Sequence, residues 1–383
     1  MRIAMVGTRG VPATYGGFET AIEEVGSRLV QRGHEVVVYC RDTGVKFERK
    51  DRHLGMELVH LPAIHTKSLE TLTHSGLSAV HLASHRTDVA LVFNAANAVW
   101  LPFLKAARIP VATHVDGLEW KRAKWGGLGK RYYRLCEKLA VKWSKALISD
   151  AQGIADYYTE KFSADSYLIT YGAPDCRRLG SARLALLGLR PQSYHLVVAR
   201  FEPENHVEMI VKGHRLSGST KPLIVVGSSP YADEYTARIK SQAGSEVRFL
   251  GGVWDQDLLN ELYAHAYVYW HGHSVGGTNP SLLRALGSGT AIAGFDVSFN
   301  REVAGEAGCF FADAQQAATL FIELEQDRAK VQTLREATQC EAARYDWEAV
   351  TDGYELLCHD LLEGRKQQAL VLGETRTKRP KAA

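Results

Sequence analysis

The sequence alternates short apolar runs with amphipathic stretches, and the alternation restarts once near the middle of the chain. The apolar runs are residues 2–6, 36–40, 89–93, 111–113, 146–148 and 167–169 in the first half, and residues 194–198, 222–227, 247–251, 267–270 and 291–293 in the second. Fully apolar strands are typical of parallel sheets that are covered on both faces. The pattern therefore predicts an α/β protein with two Rossmann-like, doubly wound parallel sheets in tandem.

The length agrees with two domains, because 383 residues exceed what a single hydrophobic core usually serves. We expect an N-terminal domain over residues 1–180 and a C-terminal domain over residues 190–345, joined by a stretch rich in Arg, Leu and Gly. A last helix is expected over residues 346–363, ended by Gly364. The polar residues 365–383 are predicted to form a disordered tail.

Composition excludes several classes of function. Lys plus Arg number 46 against 43 Asp plus Glu, so the bulk charge is not that of a nucleic-acid-binding protein. No apolar run approaches the roughly 18–20 residues that span a bilayer, and no secretory signal follows Met1. The six cysteines are scattered without a CxxC pair, which predicts reduced thiols rather than disulfides or a zinc site, and a cytoplasmic location.

The loops at the carboxyl ends of the strands are the candidate sites, because open parallel sheets bind their ligands there. Gly16 and Gly17 precede the first predicted helix, where bare backbone N–H groups can approach a phosphate. A tight turn without a ligand is the alternative for such a pair. The loop after the first strand lacks the complete GxGxxG fingerprint, which argues against a nicotinamide oxidoreductase.

Two loops of the second half are candidates for binding an anion. Arg200 follows a strand and suits bidentate binding of a diphosphate, with a solvated surface arginine as the alternative. A glycine-rich loop leads from the strand that ends at residue 270 into a helix, so the amides near Gly277 and Thr278 are expected to bind negative charge. His271 and His273 have no third ligand nearby and are expected to form hydrogen bonds rather than hold a metal.

The first half contributes a polar pair and a basic segment. His114 and Asp116 alternate with an apolar residue after a predicted strand, so both can face the cleft; a polar turn with a core histidine is the alternative. Residues 119–145 carry nine basic side chains against two acidic ones, interleaved with Trp and Tyr. This composition suits an anionic membrane surface, and a solvated helix face is the alternative.

Four segments carry a resemblance to a known family. They are residues 11–20 (VPATYGGFET), 116–122 (DGLEWKR), 200–205 (RFEPEN) and 271–280 (HGHSVGGTNP). These segments resemble the signatures of the bacterial rhamnosyltransferase-like branch of glycosyltransferase family 4, and the resemblance extends to about residue 362.

The resemblance implies the GT-B fold, in which two Rossmann-like domains face a cleft and the last helix crosses back to the N-terminal domain. It implies that the N-terminal domain binds the acceptor and the C-terminal domain binds the nucleotide sugar. It implies a retaining transfer from a nucleotide-sugar donor, with no cofactor and no essential metal. Several members transfer L-rhamnose from dTDP-rhamnose to a lipid-linked saccharide in surface polysaccharide synthesis. The expected partners are therefore that donor, a lipid-linked acceptor and the anionic inner face of the cell membrane.

The candidate site residues then fall into three groups. Those expected to act in catalysis are His114, Asp116 and Arg200. Those expected to bind the donor are Gly16, Gly17, Arg200, Asn205, His273, Gly276, Gly277, Thr278, Asn279 and Arg284. Those expected to contact the acceptor or the membrane are Glu119, Trp120, Lys121, Arg122, Lys124 and Trp125.

The chain departs from the family pattern at Arg284, where the family has a glutamate that binds the donor's ribose. A guanidinium can only donate hydrogen bonds to ribose hydroxyls. Arg284 must either project toward the diphosphate or turn away, and the cost of burying an unpaired charge favours turning away. The alternative functions are a sugar-nucleotide-binding protein with impaired turnover and a family 4 transferase that uses another hexose donor.

Overall fold

The computed structural model describes residues 1–13, 16–42, 50–64, 69–115, 117–122, 125–228 and 233–365. The strands of these residues form two separate sheets, one of eight strands and one of six. This arrangement confirms the predicted α/β architecture with two doubly wound parallel sheets. Residues 366–383, which make up nearly all of the predicted tail, lie outside the described residues.

The first sheet is built from residues 2–168. Its strands are β1 (Arg2–Val6), β2 (Glu35–Asp42), β3 (Arg52–His53), β4 (Met56–Pro62), β5 (Val89–Phe93), β6 (Val111–His114), β7 (Ala146–Ser149) and β8 (Tyr167–Leu168). They are connected by the helices α1 (Gly17–Gln31), α2 (Leu69–Ser84), α3 (Leu101–Ala106), α4 (Gly127–Trp143) and α5 (Gln152–Phe162). The strand order is β3-β4-β2-β1-β5-β6-β7-β8, and only the β3–β4 pair is antiparallel.

The second sheet is parallel throughout. Its strands are β9 (His195–Val198), β10 (Leu223–Val226), β11 (Val247–Gly251), β12 (Val268–His271), β13 (Ile292–Phe295) and β14 (Gly308–Phe311), in the order β11-β10-β9-β12-β13-β14. The helices are α6 (Val207–Ser217), α7 (Asp233–Ser241), α8 (Gln256–Ala264), α9 (Pro280–Gly287), α10 (Ser298–Ala304), α11 (Ala314–Gln326), α12 (Arg328–Ala342) and α13 (Trp347–Glu363). The strand order reverses between β9 and β12, as in other doubly wound sheets.

The last helix, α13, packs against the first sheet and helix α1. Tyr354 is fully buried and stacks on Phe93 of β5, with ring centroids 6.5 Å apart. On the outside of the contact, Arg32 binds the carboxylates of Glu348, Asp352 and Glu355 at 2.7–2.8 Å. This helix therefore fastens the C-terminal end of the described chain to the N-terminal sheet.

Candidate functional site

A cleft of about 640 Å³ lies between the carboxyl edges of the two sheets. Its N-terminal side includes the loops that follow β1, β5 and β6, the end of β2 and the starts of α1 and α2. Its C-terminal side includes the loops that follow β9, β10, β11 and β12, helix α8 and the start of α9. Because ligands of open α/β sheets bind at this edge, the cleft is the candidate functional site.

The start of α1 reaches the cleft through two glycines. Gly16 has a φ of 112°, which residues with a side chain rarely adopt. At Gly17, a Cβ atom would lie 2.9 Å from the Cγ of Pro280, the first residue of α9. The N-termini of two helices therefore come together at the cleft, where their free N–H groups favour a negatively charged ligand.

The loop that carries Arg200 is held by buried polar side chains. The Asn205 side-chain amide donates to the backbone carbonyl of Arg200 at 2.8 Å, and its oxygen lies 2.7 Å from Nδ1 of His273. Arg200 itself lines the cleft, is about one-third exposed and lies 3.4 Å from the carboxylate of Glu202. Asn205 and His273 thus fix the loop from which this guanidinium reaches the cleft.

A second guanidinium approaches the same place from the N-terminal domain. Arg122 lines the cleft, is 9% exposed and forms a 2.7 Å ion pair with Glu119. Burial holds the pKa of His273 well below its usual range, and the nearby charges of Arg122 and Arg200 lower it further. Both arginines are therefore within electrostatic reach of His273, which makes this end of the cleft suitable for an anion.

Helix α9 closes the C-terminal side of the cleft. The Asn279 side chain caps the helix by accepting a 2.9 Å hydrogen bond from the backbone N–H of Ser281. Arg284 lines the cleft, donates to the side-chain oxygen of Gln256 at 3.0 Å and lies over the ring of Tyr263. The amide oxygen of Gln256 supplies the hydrogen-bond acceptor that a carboxylate would otherwise provide, and the orientation of Arg284 relative to a bound donor stays a prediction.

The glycine-rich loop before α9 contacts the N-terminal domain. The hydroxyl of Thr278 donates to the backbone carbonyl of Asp150, and a side chain at Gly277 would overlap the carboxylate of Asp150. A Cβ at Gly117 would likewise overlap the backbone of Gly276. Gly276, Gly277 and Thr278 do not line the cleft, although the sequence analysis expected their backbone amides to bind an anion there. The absence of side chains at Gly276 and Gly277 permits close contact between the domains.

His114 lies beneath the floor of the cleft. Its ring stacks with Phe93 and Tyr171 at centroid distances of 5.8 and 6.0 Å, and Phe18 contacts it edge-on. Neither ring nitrogen has a hydrogen-bond partner among the described residues, and burial lowers the pKa of His114 to about 3. The imidazole is therefore neutral at physiological pH. Asp116, its predicted neighbour in catalysis, lies outside the described residues.

The aromatic residues of the basic segment face inward. The indole N–H of Trp120 donates to buried Glu137 at 2.9 Å, and the guanidinium of Arg134 covers its ring. The indole N–H of Trp125 donates to Glu119 at 3.3 Å. Trp120 and Trp125 therefore stabilise the segment rather than extend from it. Of the two remaining predicted residues, position 121 is an exposed lysine and position 124 lies outside the described residues.

Helix α4 presents a basic face to solvent. Its exposed basic side chains are Lys130, Arg131, Arg134, Lys138 and Lys142, and Lys145 follows the helix. Leu128 and Leu135 are also exposed, by 81% and 50%, whereas Glu137 is buried. Within the described ranges, no helix is both long enough and apolar enough to cross a bilayer.

The N-terminal wall of the cleft contains charged residues that the sequence analysis did not single out. Arg9, Glu19, Arg41 and Glu70 all line it. Glu19 belongs to one of the four family-like segments, but the other three lie at the ends of β1 and β2 and the start of α2, in no recognised motif. The only available signal was their position at the carboxyl edge of the predicted sheet.

The buried histidines of the second sheet form hydrogen bonds within the protein. Nδ1 of His271 lies 3.1 Å from the hydroxyl of Tyr269, and burial lowers the pKa of His271 to about 3. His273 is bonded to Asn205, as described above. Among the residues that the structure describes, no three His, Cys, Asp or Glu side chains are grouped so as to hold a metal ion.

Comparison with known proteins gives two family matches and many structural ones. Residues 16–171 match the model of a glycosyl transferase 4-like domain, and residues 192–327 match that of glycosyl transferases group 1. The comparison with curated proteins gave no match.

Three solved structures illustrate the structural similarity. Sucrose-phosphate synthase from Thermosynechococcus elongatus is 18% identical, with a TM-score of 0.82 over 95% of this chain and 99% of that one. The HepE protein of Anabaena, in complex with UDP and glucose, is 15% identical, with a TM-score of 0.74 over 94% and 100%. WaaG, a glycosyltransferase involved in lipopolysaccharide biosynthesis, is 17% identical, with a TM-score of 0.69 over 95% and 100%.

Proposed function

The chain is a glycosyltransferase with the GT-B fold, and from that premise we propose that it transfers L-rhamnose from dTDP-rhamnose to a lipid-linked saccharide in surface polysaccharide synthesis. The observation that carries the proposal is the pair of guanidinium groups at one end of the cleft, each of which also lies beside a glutamate. At this end, Arg122 of the N-terminal domain and Arg200 of the C-terminal domain both lie near His273. A nucleoside diphosphate is the leaving group that such a site would stabilise.

In the proposed reaction, the bond between the anomeric carbon and the diphosphate breaks, and negative charge develops on the departing oxygen. Arg200, Arg122 and the N-termini of α1 and α9 would stabilise this charge. The family resemblance implies retention, in which the departing phosphate oxygen takes the proton of the acceptor hydroxyl as the new bond forms on the same face. Neutral His114, packed below the cleft, would support the sugar site without acting as a base.

The charge distribution in the cleft supports a 2′-deoxyribose in the donor. The carboxylates that line the cleft, Glu19, Glu24, Glu70 and Glu119, all belong to the N-terminal domain. The described C-terminal wall offers Arg284 of α9 and no carboxylate to accept bonds from a vicinal ribose diol. A deoxyribonucleotide has one fewer hydroxyl that needs a hydrogen-bond partner. It therefore loses less binding free energy on this wall than a ribonucleotide does.

Structural relatives support the donor class. The Anabaena protein is described in complex with UDP-glucose, and its fold covers nearly the whole of this chain. By analogy, the donor here would be a nucleotide sugar. The outward-facing basic residues of α4 would hold the protein at an anionic membrane, where a lipid-linked acceptor is found.

Calorimetric titration with dTDP, dUDP and UDP tests the donor assignment. The last two differ only in the 2′-hydroxyl, and the first two only in the base methyl group. We expect dUDP to bind at least as tightly as UDP and dTDP to bind best. Turnover assays with dTDP-rhamnose and UDP-glucose should then show release of dTDP but not of UDP. Tighter binding of UDP, together with turnover of UDP-glucose, would instead identify a transferase with another hexose donor.

A further inference from the structure

An aromatic cluster lies at the base of the cleft. Phe18, the second residue of α1, lines the cleft and is only partly buried. Its ring contacts those of Phe93, His114 and Tyr171 edge-on, at centroid distances of 5.6, 5.0 and 6.5 Å. Phe18 therefore presents an apolar side chain to the cleft, and three further rings hold it in place.

The aromatic cluster adjoins the place where the N-termini of α1 and α9 meet. A Cβ atom at Gly17 would lie 2.9 Å from the Cγ of Pro280 and 3.9 Å from the ring of Tyr171. Phe18 follows Gly17 directly in the chain. A diphosphate bound at the two helix N-termini would therefore place its sugar beside Phe18, because a single oxygen atom joins the sugar to the phosphate.

The polar side chains next to Phe18 on α1 already form hydrogen bonds within the protein. The hydroxyl of Thr20 donates at 3.2 Å to the backbone carbonyl four residues earlier, and Glu19 accepts a 3.1 Å bond from the backbone N–H of Arg9. Both ring nitrogens of His114 are buried, so they offer no hydrogen bond to a ligand in the cleft. A methyl group on this surface gains by leaving water, whereas a hydroxyl group loses the hydrogen bonds that it makes to water.

We propose that Phe18 selects a donor sugar with a methyl group in place of the primary alcohol at C6, which makes the sugar a 6-deoxyhexose. The inference rests on the proposed function, because it takes the diphosphate to bind at the helix N-termini. It assigns the choice of sugar to a residue outside the charged groups of the cleft. Arg122 and Arg200 would contact the diphosphate, which every nucleoside diphosphate sugar contains, so they do not distinguish a 6-deoxy sugar from its 6-hydroxy analogue.

The test compares dTDP-L-rhamnose with dTDP-L-mannose, which differ only in the hydroxyl group on C6. Calorimetry with the full-length protein, without acceptor, measures the affinity for both donors and for dTDP. We expect the wild type to bind dTDP-L-rhamnose at least tenfold more tightly than dTDP-L-mannose. Equal affinities for the two donors, in a protein that binds dTDP, would overturn the role of Phe18 and leave the proposed nucleotide intact. Failure to bind dTDP would instead refute the proposed donor and this inference with it.

Variants of Phe18 then locate the selectivity. Phe18→Asn and Phe18→Leu are similar in size, but only the first supplies hydrogen-bonding groups. Phe18→Asn should lower the preference for dTDP-L-rhamnose at least threefold without changing the affinity for dTDP, whereas Phe18→Leu should keep the preference. Phe103→Asn is the control, because Phe103 is 45% exposed on α3 and does not line the cleft. Phe18→Tyr, which keeps the ring, replaces Phe18→Asn if that variant does not fold. An unchanged preference in the folded polar variant would overturn the proposal.

Discussion

Replacing Arg200 with glutamine should slow glycosyl transfer without unfolding the protein. A single preorganised charged contact to a leaving group contributes roughly 2–4 kcal/mol to transition-state stabilisation. Arg200 is about one-third exposed and already lies 3.4 Å from Glu202, so solvent and the carboxylate screen part of its charge. We therefore expect the lower end of the range, about 2 kcal/mol, or about a thirtyfold decrease in kcat/KM.

The assay follows release of the nucleoside diphosphate from the sugar donor in the presence of acceptor. Arg238→Gln is the matched control, because Arg238 is an exposed arginine of the same domain that does not line the cleft. Thermal unfolding of both variants verifies that the fold is kept. A kcat/KM for Arg200→Gln within twofold of the control would show that Arg200 does not contact the diphosphate.

Four further changes test other parts of the account. Arg284→Glu places a carboxylate beside the sugar of the nucleotide and should raise the ratio of UDP to dUDP affinity about tenfold, about 1.4 kcal/mol by calorimetry; an unchanged ratio would place the nucleotide elsewhere. The double variant Arg131→Gln, Lys138→Gln should weaken cosedimentation with phosphatidylglycerol vesicles by about 1 kcal/mol per charge, and equal binding of the wild type to neutral vesicles would rule out an electrostatic attachment. Arg32→Gln should lower the free energy of unfolding by about 1 kcal/mol in low salt and by less in high salt, whereas a salt-independent loss would indicate packing instead. His114 has a folded-state pKa of about 3, below the unfolded value of about 6.5, so the unfolded state takes up its proton first and stability is lost as the pH falls below 6.5. His114→Phe should therefore reduce the destabilisation between pH 7 and pH 5 by about 2 kcal/mol, measured by denaturant unfolding, and the same pH dependence in both proteins would contradict the neutral buried histidine.

The sequence predicts the buried parallel strands well, because their apolar runs are uninterrupted. Strands β1, β5 and β11 coincide with the predicted residues. Strand β4 (Met56–Pro62), which lies between β3 and β2, was not predicted, since Glu57 and His60 break its apolar run and most of its side chains are only partly buried or exposed. The short edge strand β14 (Gly308–Phe311) was also not predicted, because three of its four residues are only partly buried.

The sequence could not show which loop residues face the cleft, because that depends on how the two domains pack. Gly277 and Thr278 have the composition of an anion-binding loop, yet their contacts with Asp150 direct them to the other domain. Arg122 belongs to a segment whose charge suggested a membrane surface, yet it is buried beside the cleft. Arg41 has no motif around it, and only the fold brings it to the cleft.

The configuration of the product tests the central claim most directly. The protein is incubated with dTDP-rhamnose and a neutral octyl glycoside, and proton NMR follows the anomeric signals of donor and product. The account predicts loss of the donor signal, release of dTDP and a rhamnoside with the same anomeric configuration as the donor. A product of inverted configuration, or an unconsumed donor in a reaction where UDP-glucose is consumed, would contradict it.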